Sequence, residues 1–292
     1  MKPPPFDYHR PESVTAAIAL LGRLENAKLL AGGQSLMPML NLRYLYPDHV
    51  VDLNRIPDLA GFSFAGERLR IGAMTRQRAI EVSPEVARVA PIFPEALKLV
   101  GHRQTRNRGT IGGSLCHLDP AAELPTLALL YDAEIKIAGP AGLRSVSMRD
   151  FMAGYMTPAL KAGELVIAVS LPFWPAGHGW GFVEFARRHG DFAIASAGVL
   201  LEKGGDGRIK RAAVAVGGVE PVPVRLTAAE TMLVGEPPGE GLFARVAACC
   251  ANLDALEDVH GGADYRRSVA GAMVMRALAA ADARIKAPEA VR

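Results

Sequence analysis

The sequence predicts an α+β chain of two units, on three observations. Short apolar strands and helix-spaced stripes share the first part, and glycine pairs follow two of its segments. A Pro- and Gly-dense stretch at 172–179 then precedes a block that reads as strands first and helices afterwards. The expected division is 1–175, with subdomains at about 1–57 and 58–175, and a C-terminal unit over 176–292 with a three-stranded sheet plus helices.

Ser13 is the expected cap of a helix whose apolar stripe is Val14, Ala17, Ile18, Leu21 and Leu24. Lys28 to Ala31 reads as a buried strand broken by Gly32-Gly33, Leu36 to Leu45 as a helical turn limited by Pro38, and His49 to Leu53 as a second strand. These make a compact β-α-β-type unit. Leu69 to Ala73 is a strand, Gln77 to Val82 a helix, and Phe93 to Val100 a longer helical region. A polar stretch from Arg103 to Gly109 leads to the second glycine pair, Gly112-Gly113, and then to an apolar helix over Leu124 to Leu130. Ala133 to Ile137 and Leu165 to Leu171 alternate as strands do. Beyond the linker come strands at Phe182 to Phe185, Ala195 to Glu202 and Ile209 to Val216, then helices at Leu242 to Asn252 and Tyr265 to Ile285. The last helix is expected to carry a stripe of Val269, Met273, Arg276, Ala277, Ala280 and Arg284. Trp174 and Trp180 are expected to pack the junction.

Composition excludes several classes. The 292 residues are half hydrophobic and 22% charged, which is ordinary for a globular chain and unlike a disordered one. Lys and Arg total 33 against 30 acids, a net charge of +3 with no basic stripe for nucleic acid. No run reaches the ~18 apolar residues of a membrane span. The N-terminal Met1 to Asp7 lacks the apolar stretch of a signal peptide, so a cytoplasmic location is expected. Cys116, Cys249 and Cys250 include no C-x-x-C pair, so no zinc or iron–sulfur cluster is expected in this chain.

Two segments point to chemistry. Ala31-Gly32-Gly33-Gln34-Ser35-Leu36 follows a strand, and its glycines permit φ > 0 and close approach of a ligand to bare N–H groups. Inward-turned amides with the Ser35 hydroxyl would form an anion nest; the plain alternative is a strand-to-turn corner. It is neither a Walker loop nor a Rossmann fingerprint. Gly109-Thr110-Ile111-Gly112-Gly113-Ser114-Leu115 repeats the pattern, and together the two segments would clamp a diphosphate from both sides. The Arg103, Arg106 and Arg108 cluster reads as a solvated face, a phosphate contact or a partner contact. No Ser-His-Asp or Cys-His arrangement has supporting spacing.

Both glycine motifs occur in order with Phe6 to Pro11, Asp52-Leu53, Ile71 to Thr75, Arg106 to Ser114 and Asp119 to Pro125. This set resembles the medium, FAD-binding subunit of the molybdenum hydroxylases, most of all the carbon monoxide dehydrogenase branch. The resemblance covers almost the whole length. It implies a two-subdomain FAD-binding fold of the vanillyl-alcohol-oxidase type, followed by a small α+β domain. It also implies that Lys28, Leu29, Ala31, Gly32, Gly33, Gln34, Ser35 and Leu36 form the first diphosphate segment and Thr110, Ile111, Gly112, Gly113 and Ser114 the second. Asp119 and Glu123 would meet the sugar and ribityl hydroxyls, with His117 as a polar contact. Phe192 would stack on or screen the isoalloxazine, or else belong to a strand core. Gln34 departs from a His frequent in that branch, and Phe192 from a Tyr.

What the resemblance implies functionally is an electron-transfer subunit. Electrons from a large molybdopterin-containing subunit would pass through a small 2Fe-2S subunit to FAD and on to an external acceptor, with no catalytic acid or base in this chain. Two alternatives stay open: a self-contained flavin oxidase of the same fold, and a flavin-free assembly subunit.

Overall fold

The structure, a computed structural model, describes residues 1–285. Its first body contains β1 (Asp7–His9), α1 (Val14–Leu21), β2 (Ala27–Leu30), α2 (Leu36–Asn41) and β3 (His49–Asp52). The three strands pair in parallel in the order β1-β3-β2. Ser13 does cap α1, accepting a hydrogen bond from the Ala16 N–H at 3.1 Å. Ala17 lies in a small core with Leu53, Ile56 and Leu59, and Val14, Ile18 and Leu21 pack around it. Pro38 is tolerated because it falls in the first turn of α2, where its missing N–H costs nothing. Sequence periodicity did not show β1, a short and mostly exposed strand.

The second body runs through β4 (Phe62–Ala65), β5 (Arg68–Gly72), α3 (Gln77–Val82), α4 (Pro84–Val89), α5 (Ile92–Leu97), α6 (Arg103–Arg108), α7 (Ile111–His117) and α8 (Glu123–Leu130). It continues through β6 (Glu134–Gly139), β7 (Gly142–Ser147), α9 (Met148–Phe151), β8 (Met152–Gly154), β9 (Thr157–Pro158) and β10 (Leu165–Pro172). The five-stranded antiparallel sheet has the order β4-β5-β10-β6-β7. Ile71, Ile135 and Val169 from this sheet share a core with Phe93, Leu115 and Leu127 from the helices. Helix α8 is buried on all sides, which explains its lack of an amphipathic stripe.

Two expectations here need correction. The polar stretch forms a helix over Arg103 to Arg108, and Arg106 is no part of a solvated face. Its buried guanidinium donates to Glu81 Oε2 at 2.8 Å and to the Val100 carbonyl at 2.9 Å, binding α6 to α3. The Gly112-Gly113 pair is also helical, lying in the first turn of α7.

After the 173–178 connection come β11 (Gly179–Phe185), β12 (Ala195–Lys203), β13 (Ile209–Gly217), β14 (Val224–Arg225), α10 (Thr227–Leu233), α11 (Glu240–Ala247) and α12 (Ala263–Arg284). The sheet has four strands, β11-β12-β13-β14, rather than three; β14 is two residues long and too short to show in a pattern. Helix α12 covers one face so closely that a Cβ at Gly181 would lie 2.2 Å from the Ala277 carbonyl oxygen. The buried side of α12 is Arg266, Ala270, Met273, Val274, Ala277, Leu278 and Ala281, so the expected stripe through Arg276, Ala280 and Arg284 is rotated. Arg266 can join that buried side because its head donates to the Ile194 and Gly218 carbonyls. The sheet's other face meets α8, where a Cβ at Gly198 would be 3.0 Å from Leu130 Cδ2. At the junction the Arg211 guanidinium stacks 4.1 Å from the Trp174 ring centre and Arg284 sits 3.9 Å from Trp180.

Candidate functional site

The first glycine motif joins β2 to α2. Gly33 has φ +74°, in the left-handed region that favours glycine. Gly32 lies against the backbone of Arg108 and Gly109, where a Cβ would come within 2.3 Å of the Arg108 carbonyl oxygen. The consecutive amides of Gly32, Gly33, Gln34 and Ser35 donate to no acceptor among the described residues, and the Ser35 hydroxyl does not cap α2. Unspent donors on a glycine corner are what an anionic group requires.

The second motif differs from the expected nest. The Ile111 N–H donates to the Thr75 carbonyl at 3.2 Å, that of Gly112 to the Ala73 carbonyl at 2.8 Å, and that of Gly113 to Thr110 Oγ1 at 3.0 Å. Neither Gly112 nor Gly113 has a positive φ. Their smallness serves packing instead. A Cβ on Gly112 would be 2.6 Å from that of Ala73, and one on Gly113 would be 3.4 Å from that of Ala31. The two motifs therefore touch, the second acting as the floor on which the first is seated. Thr110 N–H and the Ser114 hydroxyl are the polar groups it leaves free among the described residues.

Side chains that sequence reasoning missed brace this corner. Asn54 Nδ2 donates to the Ala31 carbonyl at 2.9 Å, and Arg76 donates both to Asn54 Oδ1 and to the Arg108 carbonyl. The Asp52 carboxylate accepts from the Asn54 N–H and from the Tyr8 hydroxyl. Burial alone would raise its pKa, but these hydrogen bonds outweigh burial and hold it below the usual carboxylate range. The network ties the first body to the second around the glycine corner. Asp52 was legible as part of a motif; the Asn54–Arg76 contact joins residues 22 apart and has no local signature.

The remaining predicted residues scatter around α7 and α8. Lys28 is exposed on β2, whereas Leu29 packs into the small core beside Ala17, leaving only its backbone for a ligand. Gln34 is exposed and Leu36 half-buried at the start of α2. His117 ends α7 half-buried, and burial lowers its pKa by disfavouring the charged ring. Asp119 Oδ1 accepts from the Ala121 N–H at 2.9 Å, a turn that leaves its other oxygen free. Phe192 is 76% exposed in the loop between β11 and β12, so it is not a strand-core residue. The same loop places Gly190 (φ +85°) against the Gly101 carbonyl and His102.

Glu123 is not an exposed loop acid. It opens α8, is 9% exposed, and burial together with the charge of Glu184 pushes its pKa up to about 8. A carboxyl raised above its unfolded value of 4.5 contributes fully to stability below that value, and the contribution is lost as pH rises through about 8. Glu123→Gln in the cofactor-free chain is therefore expected to match the wild type near pH 4.5. Above pH 8 it should be more stable by on the order of 5 kcal/mol, read from denaturant midpoints at each pH. A constant difference between variant and wild type across that range would contradict the raised pKa.

A corner of unspent amides, braced by side chains from two bodies, defines a protein that seats an anionic, extended cofactor. Comparison with known proteins gives the family. Residues 4–174 match the FAD binding domain in molybdopterin dehydrogenase, and residues 180–281 match the CO dehydrogenase flavoprotein C-terminal domain. The carbon monoxide dehydrogenase medium chain of Hydrogenophaga pseudoflava is 40% identical over 97% of this chain and 99% of its own. The 6-hydroxypseudooxynicotine dehydrogenase complex subunit alpha of Paenarthrobacter nicotinovorans is 39% identical over 96% of each chain. Among solved structures, the carbon monoxide dehydrogenase of H. pseudoflava lacking the Mo-pyranopterin moiety superposes with a TM-score of 0.95 at 41% identity, covering 98% of this chain and all of that one (100%). Quinoline 2-oxidoreductase from Pseudomonas putida 86 gives 0.93 at 39% identity, covering 97% and 99%. The chain belongs to the medium, FAD-binding subunit family of the molybdenum hydroxylases, an oxidoreductase family, and the α+β expectation holds.

Proposed function

We propose that this chain is the flavin-bearing electron-transfer subunit of a molybdenum hydroxylase, with its cofactor-binding unit over 1–175 and its C-terminal unit over 176–292. The observation that carries this reading is the run of unspent amides at Gly32 to Ser35. FAD, when bound, supplies the redox chemistry, taking electrons from the iron–sulfur clusters of a small partner subunit and giving them to an external acceptor. The chain's own groups bind, orient and screen. The Gly32–Ser35 amides and the Ser35 hydroxyl hold the diphosphate. Thr110 to Ser114 form the floor, with Lys28 and Gln34 at the rim. His117, Asp119 and Glu123 face the sugar and ribityl hydroxyls, and Phe192 screens the ring.

The partners are a large molybdopterin-containing chain and a small 2Fe-2S chain. Relatives named medium chains and complex subunits support that assembly. No helix among the described residues is long and apolar enough to cross a membrane.

The test is the visible spectrum of the purified chain. Bands of oxidised flavin that bleach with a strong reductant and return with a dye acceptor are expected. A folded chain that is colourless and takes up no added FAD would overturn the reading in favour of a flavin-free assembly subunit.

A further inference from the structure

The face of the C-terminal sheet turned towards α8 carries a polar row. Glu184 on β11 stands in register with Ser196 on β12, and Ser196 with Gly217 on β13. Phe182 and Leu200, on the same face, belong to the hydrophobic core shared with α8, so the row is walled by apolar groups. Helix α8 brings Glu123 and, one turn on, Thr126 to this side. A Cβ at Gly217 would lie 2.3 Å from Thr126 Oγ1 and 2.8 Å from Ser196 Oγ.

Within the row, Glu184 Oε2 and the hydroxyl of the fully buried Ser196 have no hydrogen-bond partner. Buried polar atoms are seldom left unpaired, and those that are mark a ligand, a water or a titrating proton. The charged groups that face the pair are few. Asp119 from the α7–α8 connection and Arg106 from α6 face Glu123. Helix α5 packs against β11, but its acid Glu95 is ion-paired to Lys98, and α12 covers the opposite face of the sheet. Arg187, beyond the end of β11, donates to the Val259 carbonyl.

Helix α7 starts on the floor of the glycine corner and rises ~10 Å to His117, and the 118–122 turn then leads to Glu123, a path shorter than an extended dinucleotide plus one turn of chain. We infer that Glu184 and Glu123, one from each side of the junction, form a carboxyl pair that holds a proton against the cofactor and makes FAD binding proton-coupled. This rests on the flavin reading above. Burial pushes Glu184 up to about 7, and burial with the Glu184 charge pushes Glu123 up to about 8. Ionising the pair adds negative charge to a site built for a dianionic diphosphate. Binding at high pH therefore takes up a proton from solvent, and only a carboxyl O–H bond is formed.

The experiment is an equilibrium FAD titration of the cofactor-free full chain at pH 6 and pH 9, followed by flavin fluorescence. Wild-type affinity is expected to fall about tenfold, one pKa unit of coupling. Glu184→Gln and Glu123→Gln should each reduce that change to within about twofold. Infrared difference spectra of the wild type between the same pH values, which need no variant, should show loss of a protonated-carboxyl band. Wild-type affinity that is independent of pH, or a pH dependence unchanged in both variants, overturns the pair while leaving the flavin reading intact. No FAD binding at either pH overturns the flavin reading and this inference with it.

Discussion

Gly32→Ala is expected to strip FAD from the chain, weakening its binding by roughly 100-fold or more. A Cβ there would sit 2.3 Å from the Arg108 carbonyl oxygen and under 3 Å from Gly109 Cα. Both atoms are backbone, so relief requires the glycine corner to lift off its floor. Overpacking of this kind costs ~1–3 kcal/mol in stability. Lifting the corner also misaims the amides of Gly32 to Ser35, each of which is worth ~1.5–3 kcal/mol to a charged oxygen. Two such bonds already exceed the ~2.8 kcal/mol of a 100-fold change. Gly33→Ala acts by a different route: φ +74° costs an L-residue ~1–2 kcal/mol, so about a tenfold loss is expected. Gly205→Ala is the control, because nothing lies within 4 Å of its Cβ position. Equal FAD content in the Gly32→Ala, Gly33→Ala and Gly205→Ala proteins, read from the flavin-to-protein absorbance ratio, would refute the corner as the diphosphate seat.

The contrast between the two glycine motifs shows how far sequence carries the argument. Both read alike, since a G-G pair beside a hydroxyl is compatible with a positive-φ nest or with tight helix packing. Only the environment separates them. Gly33 follows a strand whose partner ends at Asp52, so the chain must turn back on itself and its amides are left unspent. Gly112 and Gly113 follow Thr110, whose hydroxyl caps a helix, and the incoming Thr75 and Ala73 carbonyls take the remaining donors. Those carbonyls arrive from 35 or more residues away, a distance that no local pattern encodes. β5 was legible because its alternation matches one buried face, whereas β10 and β12, buried on both faces, were legible as apolar runs of strand length. The two-residue β14 and the Asn54–Arg76 brace depend wholly on tertiary contacts. Arg106 illustrates the reverse error: an arginine between two exposed arginines looked solvated, yet Glu81 on α3 draws it inside.

The isolated, FAD-loaded chain is expected to oxidise neither carbon monoxide nor N-heterocycles, while still passing electrons from a strong reductant to a dye. Cluster ligation argues for this. Cys116 lies within α7 and Cys249 and Cys250 lie in the turn after α11, and no group of three or more candidate metal ligands exists among the described residues. Burial raises the Cys116 and Cys250 thiols to about 12, far from the thiolate that binds iron. On the proposed reading, the chemistry that draws electrons from a substrate is supplied by other chains. Enzymatic oxidation outruns the uncatalysed reaction by ~10⁶-fold or more, so turnover without those chains should be indistinguishable from background. Adding the large and small subunits should restore it. The charged heads available on α6 for docking are Arg103 and Arg108, both exposed, and not Arg106. The decisive mixture contains the purified chain, carbon monoxide or an N-heterocycle, and a dye, with no partner present. Sustained substrate-dependent dye reduction in that mixture would replace the subunit reading with a self-contained flavin oxidase.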